Sequence, residues 1–456
     1  MIWTGKQLQE ALKVEVNHDL QAGIIQFNSK DITKDDLFIA IAGKTDGHNY
    51  VKDAIIRGAS CVIVEKPIDG ISPEQTIIVT NTKLALDQLA SYKRANSKAR
   101  FIAVTGSVGK TSAKEALKIM FEAYGKTFAS RGNFNNELGV AINLASMPCD
   151  VEYAIFELGM NHAGEIRELV KIVKPDIAMI TSISAAHLEF FSSIEDIVDA
   201  KCEIFENMNV DGAAVINRDS VYYDQMNRNV QHNNISNIYT FGVLESAKVQ
   251  LIDYKVELNK TRVQYSINNT KIVIDMPYIL PVHQAENFAG CFAVLSSLGL
   301  NMTKAAEAVK GFELDDGRGK IIRVRKSDKK FQIICDYYNS NPASLKASLN
   351  FFRLIEHPNK VVIIGDMKEL GDSSANLHAE LVPYIIGSGA TKIILVGVQV
   401  KFINDLLPKK MYIKQFDNVD VLMPELESIL EDGEFVLIKG SRSINLQKIL
   451  EYFDKD

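Results

Sequence analysis

Phe101-Ile-Ala-Val-Thr-Gly-Ser-Val-Gly-Lys-Thr-Ser112 carries an apolar run straight into a loop of glycine, lysine and hydroxyl residues. Four consecutive apolar residues, Phe101 to Val104, read as a strand buried on both faces. Beyond the loop, Ala113, Ala116, Leu117, Met120 and Phe121 keep the 3.6-residue period of an amphipathic helix. A loop that wraps a phosphate needs glycine, because a side chain would keep the backbone N–H groups from the oxygens. It also needs the positive end of a helix, a lysine for the terminal phosphates and a hydroxyl for magnesium. Thr105, Gly106, Ser107, Val108, Gly109, Lys110, Thr111 and Ser112 supply these in order. Val104 stands where the general pattern has its first glycine, leaving the shorter form Thr-Gly-x-x-Gly-Lys-Thr. A strand-to-helix turn without a ligand is the plainer alternative. The strand, lysine, hydroxyl and helix together favour phosphate.

With 456 residues the chain exceeds one core, and three domains are expected. From Lys98 to about Asp315 strands and helices alternate as in a doubly wound sheet, with strands at Tyr153–Phe156, Ile177–Thr181 and Ala213–Ile216. Between Val263 and Met276 the apolar period becomes two, and Asn268-Asn269 marks a hairpin turn. Ala285 to Leu298 reads as a buried helix rich in small residues, and Asp315-Asp-Gly-Arg-Gly319 as a linker. The alternation then restarts with strands at Phe331–Cys335, Val361–Ile364, Lys392–Val396 and Phe435–Ile438. Ahead of the phosphate loop, Phe38–Ala42 and Cys61–Val64 read as short buried strands, and Asp46-Gly47-His48 as a turn before a helix over Val51 to Arg57. The expected class is α/β. A small N-terminal domain (1–97) precedes a central doubly wound ATPase-type domain (98–315) and a Rossmann-like C-terminal domain (316–456).

The net charge of −6, from 51 basic and 57 acidic residues, argues against a broad nucleic-acid surface. Five scattered cysteines without CxxC spacing suggest neither a disulfide framework nor a zinc site. No segment has the apolar length to span a membrane, and the N-terminus lacks a signal core, so a cytoplasmic protein is expected.

Polar residues just past the strands are the ones to weigh for chemistry, since open α/β sheets bind ligands there. Glu157 ends the strand Ala154-Ile-Phe and could hold magnesium beside the phosphates, or simply cap a helix. His187 lies in a loop after Ile177–Thr181, and loop histidines are usually just hydrogen-bonded. Lys201 falls in a helix expected over Ile194–Met208, where a charged residue on a wet face is the bland reading. Cys335-Asp-Tyr-Tyr-Asn-Ser-Asn-Pro342, Gly365-Asp-Met-Lys-Glu-Leu-Gly371 and Lys439-Gly-Ser-Arg442 all follow strands of the last domain. Clustered Asn and Asp can cap helices, but three polar loops on one sheet edge read better as a binding edge.

Taken together these stretches resemble the Mur ligases, ATP-dependent amide-forming enzymes of peptidoglycan synthesis. Thr105-Gly-Ser-Val-Gly-Lys-Thr-Ser112 is similar to the family's phosphate loop. Gly132-Asn-Phe-Asn-Asn-Glu-Leu-Gly139, Glu157-Leu-Gly-Met-Asn-His162, Ala186-His-Leu-Glu189, Ala200-Lys-Cys-Glu203 and His283-Gln-Ala-Glu-Asn287 follow in the family's order, as do the three loops of the last domain. The resemblance implies catalytic roles for Lys110, His187 and Lys201, the last as a CO2-derived carbamate. It implies two magnesium ions, with Thr111 on one and Glu157, His187 and carboxylated Lys201 on the other. ATP would meet the phosphate loop, His283 and Asn287 at the adenine, Arg318 near the terminal phosphate and Asp336 at the ribose. Ser29, Asp46, Gly47, His48, Asn135 and Asn136 would contact a UDP-linked substrate, and Asn339, Asn341 and Arg442 an incoming dipeptide.

The implied reaction adds D-alanyl-D-alanine to UDP-N-acetylmuramoyl-tripeptide through an acyl phosphate, in a monomer that binds no nucleic acid and inserts in no membrane. Two departures stand out: Asn28-Ser29-Lys30 replaces the family's Asp-Ser-Arg, and Tyr337 replaces the serine after the ribose aspartate. The rivals are a sister ligase adding the third stem-peptide residue, a folylpolyglutamate synthase, and a nucleotide switch without ligase activity. An Asp-Asn-Pro-Arg motif is absent, which argues against the diaminopimelate-adding sister. The long N-terminal segment argues against the second rival, and the three polar loops against the third.

Overall fold

Arg100–Thr105 lies inside a nine-stranded sheet, between Ile177–Ile180 on one side and Tyr153–Glu157 on the other. The computed structural model describes residues 2–43, 45–209, 211–257 and 260–455. Phe101, Ile102, Ala103 and Val104 are fully buried, because helices cover both faces of the sheet. Across the sheet the strands run Thr127–Ala129, Tyr153–Glu157, Arg100–Thr105, Ile177–Ile180, Ala213–Asn217, Asn237–Gly242, Val249–Glu257, Lys260–Ile267 and Thr270–Met276. Pairing is parallel as far as Val249–Glu257 and antiparallel for the last two strands. The first strand of this unit therefore has later strands on both sides. That makes its carboxyl end the switch point where α/β sheets open a ligand crevice.

The turn Asn268-Asn269 has φ of 49° and 63°, the left-handed pair a two-residue hairpin requires. Its hairpin belongs to a three-stranded antiparallel ribbon whose first strand, Val249–Glu257, was not foreseen. That strand carries Asp253 and a register shift between Leu251 and Asp253, which break its alternation. The helix expected over Ile194–Met208 ends at Cys202 and tightens into a 3-10 turn at Glu203–Phe205. There Glu203 is buried, and its carboxylate accepts from the N–H groups of Gly164 (2.7 Å) and Arg167 (3.0 Å) at the start of the helix Glu165–Val173.

Residues Ile25–Gln26, Leu37–Ile39, Cys61–Val64 and Thr76–Ile78 form a four-stranded parallel sheet. The strand expected over Phe38–Ala42 is shorter, because the chain turns at Ile41 to meet Gly47, whose N–H donates to the Ile41 carbonyl at 3.1 Å. A Cβ on Gly47 would lie 2.8 Å from that same backbone. One face of this sheet has its own small core around Phe38, Val51 and Val62. The other face shares a core with Val140, Leu144, Phe156, Ile166 and Phe205. Trp3 is fully buried there and donates Nε1–H to the Ala145 carbonyl at 2.8 Å.

The remaining sheet has seven strands, in the order Tyr412–Phe416, Lys392–Val396, Lys360–Gly365, Phe435–Lys439, Lys329–Asp336, Lys320–Lys326 and Asp454–Lys455. Its two cores are distinct from those of the first two sheets. The crossing segment Asp315–Gly319 is irregular, with Gly317 at φ +77° and Gly319 at φ +97°. All five cysteines are free thiols.

Candidate active site

A cavity of about 480 Å³ opens where the phosphate loop faces the last sheet. Its lining includes Ser107 to Ser112, Glu157, His187, His283, Asn287, Arg318, Asp336, Asn339 and Asn341. Thr105 and Gly106 lie behind the loop: the Thr105 hydroxyl donates to the Leu158 carbonyl, and a Cβ on Gly106 (φ +151°) would sit 1.9 Å from Thr181 Oγ1. Gly109, at φ +88°, caps the helix Lys110–Glu122 and directs its N-terminus at the cavity. The loop is held in shape by a partner absent from the sequence reading, Thr181 to Ser184. Val108 N–H donates to Ser182 Oγ (3.1 Å), Ser107 Oγ to the Ser184 carbonyl (3.1 Å) and Thr181 Oγ1 to the Val108 carbonyl (2.6 Å). Hydroxyl-rich Thr181-Ser-Ile-Ser184 after a strand was the available signal.

Lys110 Nζ donates to the Gly106 carbonyl at 2.8 Å, and its pKa is lowered first by burial, with Glu157 raising it and Arg318 lowering it further. Glu157 is 2% exposed and accepts from Thr111 Oγ1 at 2.7 Å and from Asn135 Nδ2 at 2.8 Å. One carboxylate thus joins the phosphate loop to the loop Gly132–Gly139. The neighbouring Asn136 instead caps the helix Glu137–Ala145 through Gly139 N–H. Lys114, fully buried, pins the same loop by donating to the carbonyls of Ser130 (2.6 Å) and Gly132 (3.1 Å).

Lys201 is 1% exposed, which replaces the wet face expected for it with a sealed one. Its pKa is driven well below the usual lysine value, first by burial and then by the charge of Lys110. His187 lies at φ +62°, and its Nδ1 sits 2.6 Å from Glu369 Oε2 of the last domain. Beside this histidine the Glu369 carboxyl is held below the usual carboxylate range. His283 is pushed down to about 4 by burial, so its ring is neutral near pH 7, and its Nδ1 is buried without a partner. A buried, unpartnered ring nitrogen in a cavity wall can form a hydrogen bond with a ligand. Asn287 packs on the phosphate loop, 2.8 Å from where a Gly109 Cβ would be.

In the last domain, Asp336 Oδ2 pairs with Lys439 Nζ at 2.9 Å and accepts from Ser348 Oγ. Asn341 caps the helix Pro342–Leu354, with the reciprocal bonds of a capping box to Ser344. Tyr338 stands between two guanidinium groups, with Arg318 4.0 Å and Arg442 5.2 Å from its ring centroid. Tyr337 packs against the bare face of Gly317, where a Cβ would be 3.0 Å from its ring. Asp366, 1% exposed, turns away from the cavity to accept from the N–H groups of Val398, Gln399 and Val400. Replacing Asp366 by alanine is expected to cost about 3 kcal/mol, because three charge-assisted bonds from backbone N–H groups are lost together. A lowered urea midpoint for unfolding checks this.

Of the residues expected to meet a UDP-linked substrate, Asn135 and Asn136 line the cavity, while Ser29, Asp46, Gly47 and His48 lie apart from it. Ser29 is buried and its hydroxyl bonds to the Asp53 carboxylate. His48 Nε2 accepts from Glu65 N–H at 2.9 Å, which places the ring proton on Nδ1, 2.6 Å from Asp46 Oδ1. Asn28, where the family has aspartate, accepts from Lys30 N–H and donates to Asp31 Oδ2.

Residues 104–295 match the Mur ligase middle domain, and residues 317–442 the Mur ligase glutamate ligase domain. A UDP-N-acetylmuramoyl-tripeptide–D-alanyl-D-alanine ligase of Rickettsia prowazekii is 49% identical over 453 residues, 99% of this chain and 100% of that one. The chain belongs to the Mur ligase family. A solved MurF from Acinetobacter baumannii superposes with a TM-score of 0.84 at 28% identity, covering 99% of this chain and 98% of that chain. The MurF ligase of Thermotoga maritima, solved in complex with ADP, gives 0.78 at 26% identity, covering 95% and 97%. In this Mur ligase both family regions line the cavity, Arg318 from the start of the second. Among the described residues no helix is long and apolar enough to cross a membrane.

Proposed function

We propose that this Mur ligase joins the terminal carboxylate of UDP-N-acetylmuramoyl-tripeptide to the amine of D-alanyl-D-alanine, converting ATP to ADP and phosphate. The observation that carries this reading is a single cavity lined by both the phosphate loop and the polar loops of the last domain. A nucleotide switch has no use for the second half of that lining. Each of the segments 1–97, 98–315 and 316–456 would serve one substrate: the uridine end, ATP and the dipeptide. A monomer suffices, since one chain supplies every loop, and the nucleotide substrates put the reaction in the cytoplasm.

Among the described residues no three His, Cys, Asp or Glu side chains gather as a ready-made metal cage. A magnesium ion here would therefore take most of its oxygens from phosphates and water, its usual habit. Thr111 and Glu157 suit that: one hydroxyl and one buried carboxylate 2.7 Å apart at the loop. Thr111 would hold the first ion, and Glu157, His187 and carboxylated Lys201 the second. Lys201 fits a carbamate because burial and the neighbouring Lys110 ammonium both lower its pKa, which favours the neutral amine that attacks CO2. The product turns a repelled cation into an anionic oxygen ligand. Bound magnesium would neutralise charge on the transferring phosphoryl group.

The carboxylate oxygen of the tripeptide attacks the γ-phosphorus, and ADP leaves. The amine then attacks the acyl phosphate carbon, loses a proton, and phosphate departs from the tetrahedral centre. Lys110 and the N–H groups at the start of its helix stabilise charge on the phosphoryl oxygens. His283 and Asn287 would hold the base, Asp336 the ribose, and Arg318 the terminal phosphate. Asn339 and Arg442 would orient the dipeptide, and the docked last domain would keep water from the acyl phosphate. Asn135, bonded to Glu157, would report the tripeptide to the nucleotide site, while Ser29 and the Asp46-Gly47-His48 turn would shape the uridine pocket.

Phosphate release with ATP, magnesium and UDP-N-acetylmuramoyl-tripeptide is expected only when D-alanyl-D-alanine is added, with a pentapeptide product by mass. Release with a single amino acid in place of the dipeptide would assign a sister ligase, and release with neither acceptor would assign a switch.

A further inference from the structure

The loop Gly365–Gly371 is tied mainly to its own domain, through backbone and side chain alike. Asp366 caps residues 398–400, Met367 N–H donates to buried His378 Nε2 (3.1 Å), Lys368 N–H donates to Ser441 Oγ (2.9 Å), and Leu370 is buried. Glu369 is the exception. It stands at φ +62°, a left-handed conformation that a glutamate adopts only when its surroundings impose it, and it reaches across to His187 of the central domain. The contact has a backbone component too: Glu189 N–H donates to the Glu369 carbonyl at 3.3 Å, and Gly371 lies bare against the Glu189 backbone.

The contact orients the histidine ring. A carboxylate oxygen 2.6 Å from Nδ1 is an acceptor, so Nδ1–H donates to it and Nε2 is left free of this bond. Carboxylates commonly orient metal-bound histidines in this way, with the other ring nitrogen on the metal. Here the carboxylate comes from a different domain than the ligand it serves. We propose that Glu369 is a positioning residue for His187, so that the cation site is complete only when the last domain is docked on the central one. This rests on the ligase reading for the role of His187, and adds that docking and cation binding strengthen each other.

The test uses the full chain and its Glu369→Ala and Glu369→Gln variants. Manganese binding in the presence of ADP, followed by electron paramagnetic resonance, is expected to weaken about tenfold in Glu369→Ala. Glu369→Gln, whose amide oxygen still accepts from Nδ1–H, is expected to fall between that variant and the parent. The magnesium concentration for half-maximal ligation should rise in parallel, while the KM for ATP stays unchanged. Nitrogen-15 spectra of His187 should show the Nδ1–H tautomer in the parent and its loss in Glu369→Ala. Unchanged manganese affinity and tautomer in both variants would overturn the proposal. So would a rise in the ATP KM without a change in cation binding, since Glu369 would then be a docking prop alone. A parent protein whose manganese binding depends on Glu369 but which makes no amide would leave this inference standing and sink the ligase reading instead.

Discussion

Replacing Lys110 by methionine is expected to lower kcat about a thousandfold while leaving a folded protein. The side chain gives one N–H to the Gly106 carbonyl, inside the loop, and an ammonium has three donors. The others are available to phosphoryl oxygens at the helix N-terminus, where preorganised charge is worth most. A thousandfold corresponds to about 4 kcal/mol of transition-state stabilisation. The folded state loses a single hydrogen bond to a carbonyl, worth about 1 kcal/mol. The two effects are therefore separable. Single-turnover phosphate release should collapse while the urea midpoint barely moves. A loss below tenfold would remove Lys110 from the phosphate chemistry.

Lys201→Met should separate stability from activity more sharply. The parent holds a lysine that is 1% exposed and whose charge is opposed by that of Lys110. Methionine fills similar space without a charge to desolvate, so stability should hold or rise by about 1–4 kcal/mol. If the lysine works as a carbamate, the variant loses an anionic ligand worth several kcal/mol of charge stabilisation. That corresponds to a fall of a hundredfold or more in kcat. A protein both sturdier and nearly inert identifies a residue kept for chemistry. Carbon-13 spectra under labelled CO2 give the direct reading: a carbamate resonance in the parent that is missing from Lys201→Met. Full activity in the variant would reduce Lys201 to packing.

The phosphate loop was readable from a dozen residues because strand, glycines and helix are contiguous and each has a local cause. Asn341 ahead of Pro342 carries an equally local signal for a helix cap, the alternative set aside for a binding edge, and it does cap Pro342–Leu354. What the sequence could not show was which polar side chains turn inward. Glu203 and Lys201 are two apart on one helical turn and look like surface charges. One is buried as the cap of a distant helix, the other sealed beside Lys110. The Gly365 loop read as a whole as facing the substrate. Its aspartate instead accepts from the turn at residues 398–400 of its own domain, while the glutamate side chain crosses to His187. Pairs such as His187 with Glu369, 182 positions apart, have no signature in a single sequence. Val249–Glu257 was missed because a bulge defeats the period-two rule.

The shared core beneath the small N-terminal sheet also bears on the order of synthesis. Trp3, Leu8 and Leu37 bury themselves against Val140, Leu144 and Phe156. A growing chain that has only emitted its first hundred residues has one finished face, around Phe38 and Val62, and one bare one. The missing half of that interior arrives with Glu137–Ala145 and Glu165–Val173, so the first sheet and the nucleotide sheet must settle together on the ribosome. The last sheet, with cores of its own, can wait its turn.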